Sequence, residues 1–383
     1  MPTRQSGAVV PHATVEDLRA LARSDSRPSV SVYLTLEAAH PRNRQNAVRG
    51  RHAVELVESR LTDAGVSAPD AAARAAALED AIVTEVGRLA HPARTLAVFL
   101  DGAVARARAL ETDGEDIVSV ADRFVIRPLV RALHLQRRFL LLALSINRVE
   151  LFEGNGGSLQ RLEVAGLPSS LEAALGSDLT EPAVQYHSAG RGRAVFHGQG
   201  GAADARTTDI DRFHHVIMRA LSEHVPANGR PLLVAADDQH EPLRAMAAQR
   251  YEVTERLAGS PFERTHDELR ELARGLVAEV GERGRLAAHA SYERAHKTGK
   301  TAGSRIEDVA LAAVQGRIHR LWTNRTAALA GAVREDDGGV VPTRGDDDVL
   351  EALAGIVIGK GGEVWVVEPD EMPAPGSAVA ELR

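Results

Sequence analysis

Cysteine is absent from this sequence of 383 residues. Its absence excludes disulfide bonds, catalysis by a thiol group and metal sites built from thiolates. Hydrophobic residues make up 44% of the chain, which is enough to form packed cores. A chain of this length is long for a single core, so two or three domains are expected.

Long apolar runs are also missing. The longest run, Phe139–Ile146, has the length of a strand and is too short to cross a membrane. Met1–Val15 lacks the charged and then apolar pattern of a secretory signal. We therefore expect a cytoplasmic protein without a membrane partner.

Lysine is scarce, since it occurs only at positions 297, 300 and 360, and 43 of the 46 basic residues are arginine. Arginine suits planar pairing with phosphate and stacking on bases, but a GC-rich genome would produce the same bias. The net charge of −7 argues against a generic nucleic-acid coat protein, whose domains carry a basic excess. Only local clusters of arginine therefore indicate contact with RNA.

One such cluster is Arg42, Arg44, Arg49 and Arg51, which occur within ten residues that contain no acidic residue. The apolar spacing predicts a helix over 43–61, on which Arg44 and Arg51 can share a face. Two interpretations are open: the cluster contacts phosphates, or it is a solvated surface.

Three segments are predicted along the chain, at 1–130, 131–258 and 259–383. The first segment alternates helices with strands. The second combines a strand meander with a helix and a further strand, which predicts a mixed sheet covered by helices. The third alternates helices and strands again and predicts a small α/β sandwich. The fold class is therefore α/β with three domains.

Several element boundaries in the second and third segments follow from turn and cap residues. Strands are predicted over 139–146, 149–153, 159–164 and 231–236, and helices over 265–280 and 282–293.

The most informative motif is the stretch His197-Gly198-Gln199-Gly200-Gly201, between a predicted strand over 193–196 and a helix predicted to begin at 207–209. Its glycines allow backbone angles and close approaches that a β-carbon forbids, and the glutamine offers a neutral donor and acceptor. Arg191 and Arg193 precede it and make the loop cationic. Such a loop suits placement against phosphates, although a disordered surface hairpin has the same composition.

Two further groups of polar residues were considered as sites. His214 and His215 point to different sides of a helix, so each is predicted to be a surface or groove residue rather than one of a pair of metal ligands. Asp237 and Asp238 follow a strand and could bind a divalent ion, as in a nuclease, with Asp101 as a further carboxylate from another segment. The alternative is that they are turn and cap residues. No cofactor is predicted.

The order of several motifs resembles the bacterial branch of the archaeo-eukaryotic class-1 release factor and Pelota superfamily, specifically its third family. The motifs are Val30–Leu36, Arg127-Pro128-Leu129, Phe139–Phe152, Phe196–Gly201 with Asp211-Arg212-Phe213, and Gly361–Val364 with Met372-Pro373. They extend over nearly the whole chain.

This resemblance implies an RNase H-like central domain and a C-terminal domain similar to kink-turn-binding ribosomal proteins. It also implies that the central domain carries a Gly-Gly-Gln loop, which enters the peptidyl-transferase centre and positions water against the peptidyl-tRNA ester. Gly198 and Gln199 match the last two positions of that motif, and His197 occupies the place of its first glycine. The implied catalytic residues are therefore Gln199, Gly198 and His197.

RNA contacts are expected for the basic and glycine residues of the loop and for the first arginine cluster, because these stretches are locally cationic. These are Arg42, Arg44, Arg49, Arg51, Arg191, Arg193, Gly200 and Gly201. The implied partners are the ribosome, through its rRNA and peptidyl-tRNA, and a translational GTPase.

Three classes of function are consistent with the sequence. The first is a factor that binds the ribosomal A site, for peptide release and ribosome rescue or for hibernation of idle ribosomes. Its chemistry, if it is an enzyme, would be hydrolysis of the peptidyl-tRNA ester. The second is a metal-dependent nuclease, and the third is a non-catalytic adaptor that binds RNA or protein.

Overall fold

The computed structural model describes most of the chain, with interruptions in loops and at the N-terminus. The described residues are 13–37, 44–86, 93–135, 138–155, 159–179, 200–227, 230–253, 257–303, 305–343 and 345–383. Helices and strands alternate along the chain, and the strands form several sheets, so the predicted α/β fold class is confirmed.

Ten α-helices occur in the described part of the chain. They are α1 Val15–Ala22, α2 Arg44–Asp63, α3 Ala68–Val86, α4 Arg127–Leu135, α5 Leu171–Leu175, α6 Gly200–His224, α7 Glu241–Ala247, α8 His266–Lys297, α9 Ile306–Val314 and α10 Val349–Gly359. None of these helices combines the length and hydrophobicity that a membrane crossing requires.

Sixteen short strands accompany the helices over the same described residues. They are β1 Ser29–Thr35, β2 Thr95–Asp101, β3 Val104–Leu110, β4 Ile117–Ala121, β5 Phe139–Leu144, β6 Val149–Gly154, β7 Leu159–Leu162, β8 Pro231–Ala236, β9 Glu252–Val253, β10 Leu257–Ala258, β11 Thr301–Ala302, β12 Ile318–Asn324, β13 Ala332–Val333, β14 Val340–Val341, β15 Glu363–Val367 and β16 Ala378–Leu382.

The chain divides into two compact units. The first unit contains residues 1–136 together with 283–383, and the second contains residues 137–282. The first and last thirds of the sequence therefore share one unit, and the middle third forms the other. The division into three domains, at 1–130, 131–258 and 259–383, stays a prediction.

In the first unit, an antiparallel sheet in the order β3-β2-β1-β4 has a different core on each face. Val30, Val32 and Leu34 of β1 face the helices α2 and α3, because alternate residues of a strand point to the same side. Tyr33 faces the opposite side, where α1, α4, α9 and α10 lie. A second sheet, in the order β11-β16-β12-β15, belongs to the same core.

Helix α10 is apolar around its whole circumference, and Val349–Ile358 are all buried. A helix with this composition is stable only when it is enclosed on every side. It packs between α1, α9 and the strands β12 and β15, so residues from both ends of the sequence enclose it.

The one acidic residue within this helix, Glu351, is 8% exposed. One of its carboxylate oxygens accepts hydrogen bonds from the amides of Ile126 (2.7 Å) and Arg127 (3.0 Å). Arg127 is 5% exposed, and its guanidinium lies 3.9 Å from Glu351 and donates to the carbonyl of Asn324 at 2.5 Å. Burial raises the pKa of Glu351 to about 7, although Arg127 acts in the opposite direction.

In the second unit, the sheet follows the order β10-β8-β5-β6-β7, and β9 also pairs with β8. Strands β5 and β8 are parallel, whereas β5, β6 and β7 form an antiparallel meander. All residues of β5 and β8 are buried, as expected for strands covered on both faces. The predicted meander and mixed sheet are therefore confirmed.

Two helix predictions were wrong in their boundaries. The structure has one continuous helix, α8, in place of two helices over 265–280 and 282–293. Gly281 does not end it, because a helical glycine costs only about 1 kcal/mol relative to alanine. Buried residues on one stripe before and after this glycine, including Val280 and Ala288, favour continuation.

The buried pair of Arg127 and Glu351 predicts that replacing Arg127 lowers the free energy of unfolding more than replacing a second arginine on α4. Arg127→Met leaves a buried carboxylate without its cation and should lower the free energy of unfolding by about 3–5 kcal/mol. The matched control is Arg131→Met on the same helix, because Arg131 pairs with Glu368 at a half-buried position. Loss of such a partly exposed pair should cost about 0–1 kcal/mol.

The measurement is urea unfolding of both variants at pH 6 and pH 8. Since Glu351 has a pKa above that of an unfolded glutamate, its ionisation destabilises the fold as pH rises through about 7. Without Arg127 this penalty should grow, so the cost of Arg127→Met should be larger at pH 8. Equal costs for the two variants, or no dependence on pH, would contradict this account.

Candidate functional site

The Gly-Gln loop precedes α6 directly in the sequence. His197, Gly198, Gln199, Arg191 and Arg193 lie outside the described residues, so their predicted roles stay predictions. Residue 200, which follows Gln199, is the first residue of α6. The loop is therefore covalently continuous with the first turn of a helix of 25 residues.

Gly200 and Gly201 lie in the first turn of this helix and not in an open loop. The prediction that α6 begins at 207–209 was therefore wrong by about two turns. The run Gly200–Arg206 includes three alanines, which are the best helix formers and offset the cost of its two glycines.

The beginning of α6 has the electrostatic character that suits an anionic environment. The first turn contains no acidic residue. The first backbone amides of a helix have no partner within the helix, and its dipole places partial positive charge at this end. Arrangements of this kind favour phosphate groups nearby.

Helix α6 is held on the sheet by a continuous apolar stripe. Phe213, Ile217 and Leu221 recur every four residues and are each completely buried. They share one core with Leu142 of β5 and Val234 of β8. The part of α6 from Phe213 to Leu221 is therefore fixed to the centre of the mixed sheet.

His214 is buried, contrary to the prediction that it is a surface or groove residue. Its side chain is fully enclosed, and its Nε2 lies 2.9 Å from Nδ1 of His240, which is 1% exposed. His215, the next residue on α6, is exposed as predicted. His214 lies three residues before Ile217 and seven before Leu221, so it shares the helix face that buries these two residues. Sequence spacing gave no sign of His240, which is 26 residues away.

Asp237 and Asp238 have a turn and cap arrangement. Asp237 is the N-cap of a short 3₁₀ helix over Asp238–His240, and its carbonyl accepts the amide of His240 at 3.0 Å. Asp101 belongs to the other unit, where its carboxylate accepts the hydroxyl of Ser24 at 3.2 Å. Among the described residues, no group of three histidine or acidic side chains is arranged to hold a metal ion.

The first arginine cluster divides into engaged and exposed members. Arg42 lies outside the described residues, and Arg44 is the first residue of α2. Arg49 donates to the carbonyl of Thr35 at 2.8 Å and to the carboxylate of Glu37 at 3.2 Å. Arg51 is exposed. Arg49 therefore has a structural role at the end of β1, whereas Arg51 presents its charge to solvent.

A cavity of about 500 Å³ in the first unit was not predicted from the sequence. Its lining includes Asp122, Asp346, Asp347 and Glu351. Several of these carboxylates are already bonded to backbone amides: Asp346 to that of Val120 at 2.9 Å, and Asp347 to that of Asp122 at 2.8 Å. The acidic lining therefore joins distant parts of the chain, and nothing in its geometry makes it a catalytic site.

Comparison with solved structures gives matches of low identity along nearly the whole chain. The archaeal translation termination factor aRF1 is 13% identical, with 97% of this chain and 99% of that one covered, at a TM-score of 0.24. Pelota from Archaeoglobus fulgidus is 12% identical, with 98% and 93% covered, at 0.28. Dom34 from S. cerevisiae, described as a translation termination-like factor, is 9% identical, with 98% and 94% covered, at 0.34. TM-scores this low carry no argument about the site.

Comparison with curated proteins gives no match. The comparison with protein families does give one: residues 138–317 match the model for bacterial archaeo-eukaryotic release factor family 3. The matched range includes the mixed sheet, the Gly-Gln stretch and the whole of α6. The resemblance found in the sequence is thereby confirmed over residues 138–317, which are similar to bacterial archaeo-eukaryotic release factor family 3.

Proposed function

We propose that this protein is a translation factor that binds the A site of the ribosome and presents Gly198 and Gln199 to the peptidyl-transferase centre. The observation that carries the proposal is the family match over 138–317, which includes the loop and the helix that anchors it. A factor with this role would act in the cytoplasm, with rRNA and peptidyl-tRNA as its immediate partners. A translational GTPase is a further proposed partner.

The chemistry proposed for the loop is hydrolysis of the peptidyl-tRNA ester. The amide of Gln199 would orient a water molecule, and Gly198 would allow the backbone to approach the ester closely. Orientation of this kind lowers the barrier when the polar group is held in place before the reaction. The buried stripe of α6 supports this proposal, because α6 begins directly after Gln199 and the stripe fixes this helix to the sheet from Phe213 onward.

The effect of His197 decides between two forms of the proposal, peptide release and occupancy of idle ribosomes. It replaces the first glycine of the superfamily motif with a bulky side chain at a position where the backbone passes close to RNA. If the loop still reaches the ester, the protein releases peptide and rescues stalled ribosomes. If His197 prevents this approach, the protein occupies idle ribosomes without chemistry, as a hibernation factor does.

Contacts with RNA are proposed for basic residues at two places. Arg191 and Arg193 would contact RNA beside the loop, where Gly200 and Gly201 begin α6 with backbone amides. Arg42, Arg44 and Arg51 would contact phosphates from the first unit. The ion pair of Arg49 with Glu37 makes this arginine a supporting residue for the cluster.

Replacement of the glutamine tests the catalytic form of the proposal. Gln199→Ala should reduce release of labelled peptide from purified ribosome complexes by about a hundredfold, since loss of one such polar contact costs about 3 kcal/mol. Ribosome affinity should stay nearly unchanged, because the amide acts on the transition state more than on binding. Gly198→Val should reduce both release and affinity, because a β-branched residue resists the required backbone angles.

The matched variant is His197→Gly, which restores the superfamily motif. Release by this variant, when the parent has none, would identify the parent as an occupancy factor. Release by neither protein, with ribosome binding by both, would contradict the catalytic form of the proposal. Binding by neither would refute the ribosomal assignment and leave an adaptor, or a nuclease if RNA cleavage requires added metal.

The arginine cluster predicts a change in the salt dependence of ribosome binding. Each phosphate contact releases counterions, so the double variant Arg44→Gln/Arg51→Gln should flatten the plot of log affinity against log salt by roughly one to two units. Arg49→Gln is the matched control and should leave the slope nearly unchanged, because this guanidinium already pairs with Glu37. Cosedimentation with ribosomes across a salt series measures both slopes. An unchanged slope for the double variant would assign the cluster to the solvated surface.

A further inference from the structure

Two buried histidines connect α6 to the segment that follows β8. His214 lies on α6, and His240 ends the 3₁₀ helix Asp238–His240 and caps α7. Their exposed fractions are 0% and 1%, and His214 Nε2 lies 2.9 Å from His240 Nδ1. The ring of Phe213 lies 6.5 Å from that of His214 and 6.4 Å from that of His240. The two imidazoles therefore form a polar contact inside an apolar layer.

This contact can hold only one proton between the rings. One of the two facing nitrogens must donate an N–H, and the other must accept it with a lone pair. The outer nitrogens, His214 Nδ1 and His240 Nε2, are buried and have no hydrogen-bond partner in the described part of the chain. An additional proton on either ring would therefore be buried without an acceptor, and protonation of both rings would remove the contact itself.

Both rings consequently favour their neutral forms. Burial, together with the neighbouring rings of His240 and His215, lowers the pKa of His214 to about 4. Burial also lowers the pKa of His240 to about 4. Asp211 acts in the opposite direction on His214.

The other charged groups on the elements around the pair do not provide a buried counter-ion. Asp211 and His215 on α6 are exposed, as are Asp238 and Glu241 beside His240. Glu241 pairs with Arg244 at 2.8 Å on α7, Glu172 lies on α5 and Asp237 lies at the end of β8. The buried carboxylate of Asp209 on α6 lies 3.8 Å from the guanidinium of Arg212. Within the described residues, neither imidazole forms an ion pair.

We propose that the contact between His214 and His240 is an acid-sensitive lock that fastens α6 to α7 and opens when the two imidazoles are protonated. The lock requires only the second unit and does not depend on a ribosomal role. Its consequence for the loop does rest on the proposed function: because α6 begins directly after Gln199, opening would loosen the anchor of the Gly-Gln loop. Acidification would then loosen α6 and reduce the proposed activity of the loop at a pH at which the second unit is still folded.

The direction of the effect follows from proton uptake. Exposed histidine has a pKa near 6.5, so below this pH the opened segment binds protons that the closed segment excludes. The form in which His214 and His240 are in contact is therefore fully stabilised above about pH 6.5. This stabilisation is lost as the pH falls toward 4. Each pKa unit corresponds to a tenfold change in the opening equilibrium for each ring.

Hydrogen exchange of the full chain, followed by mass spectrometry, tests the lock. After correction for the intrinsic rate, amides over 209–224 should exchange more than tenfold faster at pH 5 than at pH 7.5. The variant His214→Gln/His240→Asn places amides where the bonded ring nitrogens lie and cannot titrate in this range, so it should abolish the acceleration. The matched control, His215→Gln, removes the adjacent exposed ring and should behave as the parent does.

Peptides from α10 provide an internal reference, because this helix belongs to the other unit and should show no acceleration over the same range. If the double variant does not fold, the imidazole NMR resonances of the parent decide the question. Two imidazole rings should remain neutral at pH 5. Titration of every ring near 6.5, or equal acceleration in the parent and the folded double variant, would overturn the proposal.

Discussion

The packing of α6 on the strands β5 and β8 is the interaction on which the functional account depends. These strands are buried on both faces, and Phe213, Ile217 and Leu221 hold the helix against them. A loop positioned for chemistry must be carried by an element whose own position is fixed. The same helix begins at Gly200, so it connects the residue that follows Gln199 to this packed stripe. The buried contact between His214 and His240 adds a polar interaction to this apolar packing.

The first unit is organised around a different constraint, the burial of charge. Helix α10 is apolar on every side and becomes stable only because segments from both ends of the sequence enclose it. Glu351 is carried into this core and is neutralised by Arg127 and two backbone amides. Such a pair adds little net stability compared with apolar residues, but loss of one partner is costly. It therefore specifies which segments belong together, and the Arg127-Pro128-Leu129 motif has a structural role.

Local patterns were sufficient to predict much of the second unit. The apolar runs over 139–146 and 231–236 have the length of strands, and the structure has the strands Phe139–Leu144 and Pro231–Ala236 there. Features that depend on distant partners could not be predicted. Arg127 and Glu351 are 224 positions apart, and the burial of His214 depends on the fold that brings His240 to it. The early start of α6 was missed because glycine weakens a helix locally, whereas the three alanines of the run favour it. The order of the motifs was more informative about family than any single residue.

The most direct test of the account is cryo-electron microscopy of the full chain bound to purified bacterial ribosomes that carry peptidyl-tRNA. The account predicts density for the protein in the A site, with Gly198 and Gln199 beside the ester of the peptidyl-tRNA and the arginines of α2 near rRNA phosphates. Binding at a site distant from the peptidyl-transferase centre, or a loop directed away from it, would contradict the central claim.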